Sequence, residues 1–298
     1  MKILASGMSG TIGLELLPAL AAKGHEITRL KTGAVSGEHQ IAWDPLRPVD
    51  PAQVSGFDAV VHLAGENIFG RWTAKKKTAI RDSRVLGTRN LAEALAGAEK
   101  KPEVLISASA IGFYGSRGDE VLTEESSAGT GFLAEVARDW EAATQVAAAA
   151  RIRVVNLRIG VVLSAKVGAL AKMLTPFRFG VGGKLGNGRQ GMSWIAVQDA
   201  VGAIEHILNG HSFIGQFNLT APNPVSNAEF TKTLGQVLRR PTVASVPALA
   251  LRIALGREMA EETVLSSQRV LPKRLLESGY QFKYPKLEAA LRAILGQG

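Results

Sequence analysis

Three glycines at three-residue spacing, Gly7, Gly10 and Gly13, follow a short strand-like run, Lys2–Ser6, at the start of the chain. A strand that turns sharply through the first glycine lets the next helix point its N-terminus at a pyrophosphate. The second glycine leaves room for the phosphates, and the third lets helix and strand pack closely. The segment therefore predicts a dinucleotide-binding turn. The other candidate cofactor-binding residues of this turn are Ser9, Thr11 and Ile12.

Short apolar runs alternate with longer helix-like segments through the first half of the chain. The further strand-like runs are Glu26–Leu30, Ala59–Leu63, Val104–Ser107 and Arg153–Leu157. The helix-like segments are Thr11–Lys23, Arg81–Ala96 and Leu133–Ala149. Compact runs without clean alternation suit strands that are buried on both faces of a parallel sheet. This order predicts an α/β fold with a Rossmann-type, doubly wound parallel sheet.

The alternation of strand-like and helix-like segments ends after Arg158. A glycine-rich loop at 178–193 carries several cations, and a helix start is predicted at Ser226 or Asn227, with Glu229 downstream. The last part of the chain has helical spacing with short connections. We therefore predict an NADP-binding Rossmann domain at 1–222 that includes the loop, and a smaller, mainly helical C-terminal domain at 223–298.

Composition excludes several classes of protein. The 298 residues include no cysteine, which rules out disulfides and thiolate metal ligands. No histidine pair has metal-ligand spacing, so we predict no metal. No apolar run reaches the roughly 20 residues of a membrane helix, and the glycines at 7, 10 and 13 argue against a secretory signal. We expect a cytoplasmic protein without a membrane partner.

The formal net charge of +9 favours anionic partners. The cations are scattered along the chain, so we expect an anionic cofactor or substrate and no nucleic-acid partner. After the second strand-like run, Arg29 and Lys31 stand where an NAD site usually places an acid. This favours NADP(H), whose 2′-phosphate prefers a cation. The alternative is that both are surface cations at a strand end.

Longer motifs are more specific than the glycine triplet. They are "GMSGTIG", "VVHLAGENIFGRWTAKKKTAIRDSRVLGTRNL", "SASAIGFYG", "RDWEAAT", "LRIGVVLS" and "PFRFGVGGKLGNGRQGMSWIAVQD". In these motifs the chain resembles the atypical extended short-chain dehydrogenases/reductases called the epimerase family, which carry a C-terminal domain of unknown function. Some members have been called nucleoside-diphosphate-sugar epimerases by analogy. The segment from Pro224 onward resembles the second domain of that family.

The resemblance implies NADP(H) as cofactor and a substrate cleft under the C-terminal segment. It places Leu63, Ala64 and Gly65 near the cofactor. Active extended members use a Tyr-x-x-x-Lys pair for proton exchange. Here Phe132 or Leu133 stands near the place of the tyrosine, and Ala137 stands at that of the lysine. Two further cofactor candidates are Arg84, at the place of an asparagine of active relatives, and Ser107.

Three residues could replace the missing acid-base pair. A catalytic serine falls on Ser109 if the loop is one residue longer, and otherwise on Ala110. Tyr114 is the nearest hydroxyl with a suitable proton, or else a packed aromatic that closes a loop. Glu66 follows the cofactor-side "LAG", and it is either catalytic or a solvated carboxylate that pairs with a cation such as Arg71.

Substrate selection is predicted for the glycine-rich loop. Lys184 and Arg189 suit a phosphate or carboxylate, and Arg178 and Arg158 could add positive charge. The competing interpretation is a flexible surface loop whose charges face water.

Two classes of function stay open for the protein. One is an oxidoreductase or epimerase that acts on a small, anionic or nucleotide-linked substrate. The other is a regulatory NADP(H)-binding protein that acts through a protein partner, for instance in cell division.

Overall fold

A seven-stranded parallel sheet organises the molecule, which we describe from a computed structural model over residues 1–297. The strands are, in chain order, β1 (Lys2–Ser6), β2 (Glu26–Lys31), β3 (Gln40–Ala42), β4 (Ala59–His62), β5 (Val104–Ala110), β6 (Val121–Leu122), β7 (Arg153–Ile159), β8 (Val161–Leu163), β9 (Gly183–Leu185), β10 (Gly191–Met192), β11 (Trp194–Ala196), β12 (Gly215–Leu219), β13 (Val225–Ser226), β14 (Ala244–Val246) and β15 (Arg269–Val270). Seven of these fifteen strands form the large sheet, in the order β12-β7-β5-β4-β1-β2-β3. The order therefore reverses between β1 and β4.

Eleven α-helices are present in the described part of the chain. They are α1 (Gly13–Ala22), α2 (Ala74–Gly97), α3 (Phe132–Ala142), α4 (Gln145–Ala149), α5 (Ala169–Arg178), α6 (Val197–Asn209), α7 (Asn227–Leu238), α8 (Ala248–Leu255), α9 (Arg257–Glu262), α10 (Lys273–Glu277) and α11 (Leu287–Ile294). Two short 3-10 helices lie at Pro51–Val54 and Ile111–Tyr114. None of the described helices is long and apolar enough to cross a membrane.

Both faces of the sheet are covered by helices. Leu16 of α1 and Ile204 of α6 pack with Ile3 in one buried cluster. Leu91 of α2 packs on the opposite face with Leu4 in a second cluster. Neighbouring strand residues thus point to opposite apolar layers, which explains the runs without alternation. The predicted Rossmann-type, doubly wound fold is confirmed.

The C-terminal part of the chain is mainly helical, as predicted, and it also adds short strands to earlier segments. The chain pairs β14 with β9, β13 with β10, and β15 with β6. The helix start predicted near Ser226 is confirmed, since Ser226 and Glu229 form a reciprocal capping box at the N-terminus of α7. Two strands therefore lie within the glycine-rich segment 178–193 and tie it to later parts of the chain.

Two predicted helices have different bounds in the structure. The helix predicted at Leu133–Ala149 is divided into α3 and α4, where the Thr144 hydroxyl donates to the Glu141 carbonyl and competes with the helical bonds. The helix predicted from Arg81 begins at Ala74, because the Thr73 hydroxyl caps its first turn. The charged run that follows Thr73 hides this start from apolar periodicity.

Candidate active site

The glycine turn lies at the carboxyl ends of β1 and β4, where the strand order reverses. Gly7 has a φ of +75°, and a β-carbon there would lie 2.5 Å from the backbone carbon of Leu63. A β-carbon at Gly13 would overlap the Met8 backbone. By contrast, a β-carbon at Gly10 would meet only the Gly7 carbonyl, at 3.2 Å. The turn is therefore closed at its base and open at Gly10, in the crevice where open α/β sheets bind ligands.

The remaining predicted residues of the turn contribute in different ways. Ser9 is exposed and Thr11 is half-buried, whereas the Ile12 side chain is buried in the core. Ile12 can therefore face a ligand only through its backbone. The first N–H groups of a helix have no partner within the helix. The N-terminus of α1 accordingly offers N–H donors beside the open space at Gly10.

The predicted cations lie on the strand next to the turn. Leu30 of β2 is level with Ser6, so Lys31 comes level with the first glycine of the turn. Lys31 is exposed, and Arg29 is half-buried two residues earlier, on the same face of β2. The two residues thus lie on the β2 side of the crevice. This fits the position expected for contact with a 2′-phosphate.

The end of β4 forms the other wall of the crevice. Gly65 lies against Arg84, whose Cζ would be 3.2 Å from a β-carbon at Gly65. The Arg84 guanidinium donates to the Glu66 carbonyl at 2.9 Å and lies 5.0 Å from the centre of the Trp140 ring. Burial lowers the pKa of Arg84 to about 10. The structure therefore brings the predicted residues 63–65 and Arg84 together.

Ser107 and Ser109 lie within the neighbouring strand, β5, Tyr114 ends the 3-10 helix that follows it, and all three are buried. Ser107 lies beside His62 in the sheet. Ser109 donates to Glu141 at 2.7 Å, and Tyr114 donates to Asn218 at 2.7 Å. Burial raises the pKa of the Tyr114 hydroxyl. Both predicted catalytic hydroxyls are thus used in internal hydrogen bonds.

A buried ion pair holds these hydroxyls in place. The Arg158 guanidinium donates to both carboxylate oxygens of Glu141, at 2.8 and 2.9 Å, and to the Tyr114 hydroxyl at 3.0 Å. The expectation that Arg158 adds positive charge to a substrate site is therefore wrong. Its charge is neutralised inside the protein, because a buried guanidinium needs a carboxylate partner.

Helix α3 carries Phe132, Leu133 and Ala137, the residues that the resemblance sets near the places of the family's tyrosine and lysine. Its N-terminus is capped from the C-terminal part of the chain, because the Glu262 carboxylate accepts from the backbone N–H groups of Phe132 and Leu133, at 2.9 and 2.7 Å. A cavity of about 220 Å³ lies beside this contact. Leu133, Glu262 and Gln268 are among its lining residues.

A second cavity, of about 330 Å³, adjoins the first through Glu261, which lines both. Arg189 of the glycine-rich segment lines it, and Arg252 pairs with Glu261 at 2.7 Å on its wall. Lys184 is exposed on β9 and is absent from the lining. The structure therefore brings one of the two predicted substrate cations to the cavity.

Glu66 is the accessible member of the three predicted catalytic residues. Its carboxylate accepts from the Lys76 ammonium at 2.5 Å and keeps 42% of its side chain exposed. The sequence suggested Arg71 as such a partner, but α2 starts early enough to supply Lys76 instead. Within residues 1–297, no group of three or more His, Asp or Glu side chains is arranged to hold a metal.

Sequence reasoning missed the residues that the C-terminal part brings to the cavities. Glu261, Glu262 and Gln268 belong to a segment without any recognisable motif. The Gln268 amide donates to the carbonyls of Ile111 and Gly115, both at 3.0 Å. Only the return of the chain over the first part brings these groups to α3. No local sequence signal could have found them.

Comparison with known proteins identifies the family of the chain. The model of the NAD dependent epimerase/dehydratase family matches residues 3–219, and a domain of unknown function, DUF1731, matches residues 246–294. An epimerase family protein of Mycobacterium tuberculosis is 42% identical over 291 residues, which cover 97% of this chain and 96% of that protein. The epimerase family protein YfhF of Bacillus subtilis is 37% identical over 300 residues, 99% of this chain and 98% of YfhF.

The fold is also shared with a solved relative. The crystal structure of the human epimerase family protein SDR39U1 with NADPH has a TM-score of 0.92 and 34% sequence identity, and the match covers 99% of both chains. The resemblance noted from the motifs is thus confirmed over the whole chain. This chain belongs to the NAD dependent epimerase/dehydratase family, with a C-terminal DUF1731 domain.

Proposed function

We propose that this chain binds NADP(H) in the crevice between the glycine turn and the end of β4, and that it acts on a small anionic substrate as an oxidoreductase or epimerase. The observation that carries the proposal is the turn. Gly7 and Gly13 are required by close backbone packing, whereas the missing side chain of Gly10 opens the crevice. The NADPH in the human SDR39U1 structure supports the same cofactor here.

The residues of this chain suit each part of the cofactor. The backbone at 9–12 and the N-terminus of α1 would hold the pyrophosphate. Lys31 and Arg29 would hold the 2′-phosphate, and the backbone at 63–65 would line the nicotinamide end beside Arg84. When bound, NADP(H) supplies or accepts a hydride at its nicotinamide ring.

Proton exchange has to accompany hydride transfer to or from a substrate oxygen. Leu133 and Ala137 carry no exchangeable side-chain proton. Ser109 already donates to Glu141, and Tyr114 to Asn218. Among the predicted catalytic residues, Glu66 therefore fits the role best, because its carboxylate lies at the end of β4 and stays accessible.

The substrate would extend from the nicotinamide end of the crevice, beside Glu66, into the two cavities that Glu261 lines; Glu66 itself lines neither cavity. Arg189 forms no ion pair in the described part of the chain. A guanidinium in that position suits a phosphate or carboxylate.

Replacing Arg189 with alanine is expected to weaken binding of such a substrate by about tenfold or more, without changing NADPH affinity. Lys184→Ala is the matched control and should have a much smaller effect, because Lys184 is outside the cavity lining. Equal losses in the two variants would contradict this assignment.

A second function is favoured by one observation. The family's tyrosine and lysine are absent, and the nearest hydroxyls are held in a buried network. A protein that binds NADP(H) and signals through a protein partner would keep the crevice and lose the acid-base pair. This regulatory function is our alternative proposal. A cytoplasmic location remains a prediction for both.

Calorimetric titration with NADPH and with NADH tests the cofactor assignment. We expect NADPH to bind at least about tenfold more tightly, a difference of about 1.4 kcal/mol. The double variant Arg29→Ala/Lys31→Ala should lose this preference. Lys100→Ala/Lys101→Ala removes the same charge from exposed positions after α2 and should keep it. If neither nucleotide binds to the wild type, the proposal fails.

Turnover separates the enzyme from the regulator. NADPH oxidation with a pool of carbonyl metabolites, abolished in Glu66→Gln but with cofactor binding retained, would support the enzyme. Capture of a defined protein that depends on NADPH, in the absence of any turnover, would support the regulator.

A further inference from the structure

Two long segments of the chain contain no acidic residue. No Asp or Glu occurs at 142–198 or at 230–257, although both segments carry many Lys and Arg residues. The fold places parts of the two segments side by side, because β9 and β14 pair in parallel with Gly183 level with Ala244. A region of the surface is therefore built from two stretches that lack any carboxylate of their own.

The contact between the two segments continues on the N-terminal side of the paired strands β9 and β14. The Arg240 guanidinium donates to the Arg178 carbonyl at 2.9 Å. A β-carbon at Gly180 would lie 3.6 Å from the Pro241 side chain. Residues 178–183 and 239–244 thus run next to each other, and their side chains belong to one surface.

Three large apolar side chains project from this surface. Phe179 is 80% exposed, Val181 is 63% exposed and Val243 is 93% exposed. We call these three residues the apolar tip. Single exposed apolar residues are common on proteins, but several together usually mark a contact site. Such high exposure means that the side chains protrude instead of lining a groove.

Cations flank the apolar tip on both segments. Arg178, Lys184, Arg239 and Arg240 are exposed, and none forms an ion pair within residues 1–297. We call these four residues the cationic rim. A protruding apolar group next to uncompensated positive charge combines the two features by which proteins bind an anionic lipid surface.

In place of the expectation from the sequence that the protein has no membrane partner, we propose that the apolar tip and cationic rim form a peripheral docking site for an anionic lipid surface. The apolar tip enters the interface between headgroups and acyl chains, and the cationic rim lies against the lipid phosphates. A second copy of this chain would bring like charges together. A nucleic acid would satisfy the cationic rim but leave the apolar tip in water. A lipid interface adapts to protruding side chains without a matching pocket.

Flotation of the full-length protein with vesicles tests this proposal. We expect binding to phosphatidylcholine vesicles that contain roughly one third phosphatidylserine to exceed binding to pure phosphatidylcholine by at least about tenfold. Phe179→Ser/Val181→Ser/Val243→Ser should lose most of this binding. Leu46→Ser/Ile214→Ser, at exposed apolar positions elsewhere, should keep it.

Charge is tested by a second pair of variants. Arg239→Glu/Arg240→Glu should lower vesicle binding by about tenfold, and Lys100→Glu/Lys101→Glu should not, although its net charge is the same. If the triple variant is misfolded by circular dichroism, Val243→Asp replaces it, because a side chain that is 93% exposed contributes little to folding.

Several outcomes would overturn the proposal. The wild type could fail to prefer anionic vesicles, or the folded apolar-tip variant could bind them as well as the wild type does. Complete displacement by duplex DNA, with apolar-tip variants that bind DNA normally, would assign the surface to nucleic acid instead.

Discussion

Gly7 and Gly10 lie three residues apart in one turn, but their missing side chains serve different purposes. Gly7 combines a positive φ with backbone contact to Leu63, so Gly7→Ala should lower the free energy of unfolding by at least about 2 kcal/mol. Gly10→Ala should change it by less than about 1 kcal/mol but weaken NADPH binding by about tenfold or more, because a β-carbon would enter the open crevice. Urea denaturation and calorimetry measure the two effects.

The pairing of these two glycine variants makes the test specific. Loss of NADPH binding in a destabilised variant would say little about the site. Tight NADPH binding by the Gly10→Ala variant would contradict the role given to the turn.

His62 couples stability to pH. It is fully buried, contacts the hydroxyls of Ser6 and Thr88 at 2.6 and 3.0 Å, and burial lowers its pKa to about 4. In the unfolded chain the histidine has a pKa of about 6.5, so the unfolded state binds more protons between these values. We therefore expect this stabilisation to be fully present above pH 6.5 and to be lost as the pH falls to 4, by about 3 kcal/mol in total.

Urea unfolding at pH 7.5 and pH 5 gives the change in the free energy of unfolding between the two pH values. This change should be larger in the wild type than in His62→Gln. The comparison is needed because burial raises the pKa of Glu124, which acts in the opposite direction. His39→Gln, at an exposed position, should retain the pH dependence of the free energy of unfolding that the wild type shows. An equal pH dependence in the wild type and the His62 variant would contradict the prediction.

At the scale of elements, the Glu141–Arg158 pair connects α3 to β7. Glu141→Ala leaves a buried guanidinium without a counter-charge, and we expect the free energy of unfolding to fall by about 3–5 kcal/mol. Glu288→Ala removes a partner of Arg292 from an exposed pair and should cost less than about 1 kcal/mol. Equilibrium denaturation measures both values. Similar small losses would mean that the buried pair is not required for stability.

The sequence predicts the elements whose signals are local. The order of strands, the glycine turn and the start of α7 at Ser226 follow from apolar runs, spacing and capping. The early start of α2 at Ala74 was missed, since its first turn is charged and only Thr73 marks it. The partners of Ser109 and Tyr114 were missed for another reason. The Ser109 contact joins β5 to α3, and the Tyr114 contacts join the 3-10 helix Ile111–Tyr114 to β7 and β12. No local pattern encodes such contacts.

The same distinction applies to the candidate site. The glycine turn and Leu63–Gly65, which form the two walls of the crevice, lie within recognisable sequence motifs, so both walls could be predicted. The Glu262 cap on α3 depends on how the C-terminal part returns over the sheet. Arg158 shows the converse. Its charge suggested an anion site, but its partner Glu141 lies in a helix 17 residues earlier in the chain.

At the scale of the whole molecule, the two parts of the chain share a core. One buried cluster joins Leu174 and Trp194 of the first part to Leu234 and Leu291 of the second. The predicted boundary near residue 222 falls within this cluster in sequence, although the last strand of the large sheet, β12, ends just before it. Shared burial of this kind couples the unfolding of the two parts.

We therefore expect a single unfolding transition for the full-length chain. Leu234→Ala should lower the free energy of unfolding by about 2–5 kcal/mol and shift the whole transition, including the tryptophan fluorescence, which comes entirely from the first part (Trp43, Trp72, Trp140 and Trp194). Fluorescence and far-ultraviolet circular dichroism in urea should give coincident curves for both proteins. A chain cut after residue 222 exposes the apolar side chains of α5 and β11, so it should lack a cooperative transition. Two separate transitions in the full-length chain, or a stable fragment 1–222, would show instead that the first part folds independently of the second.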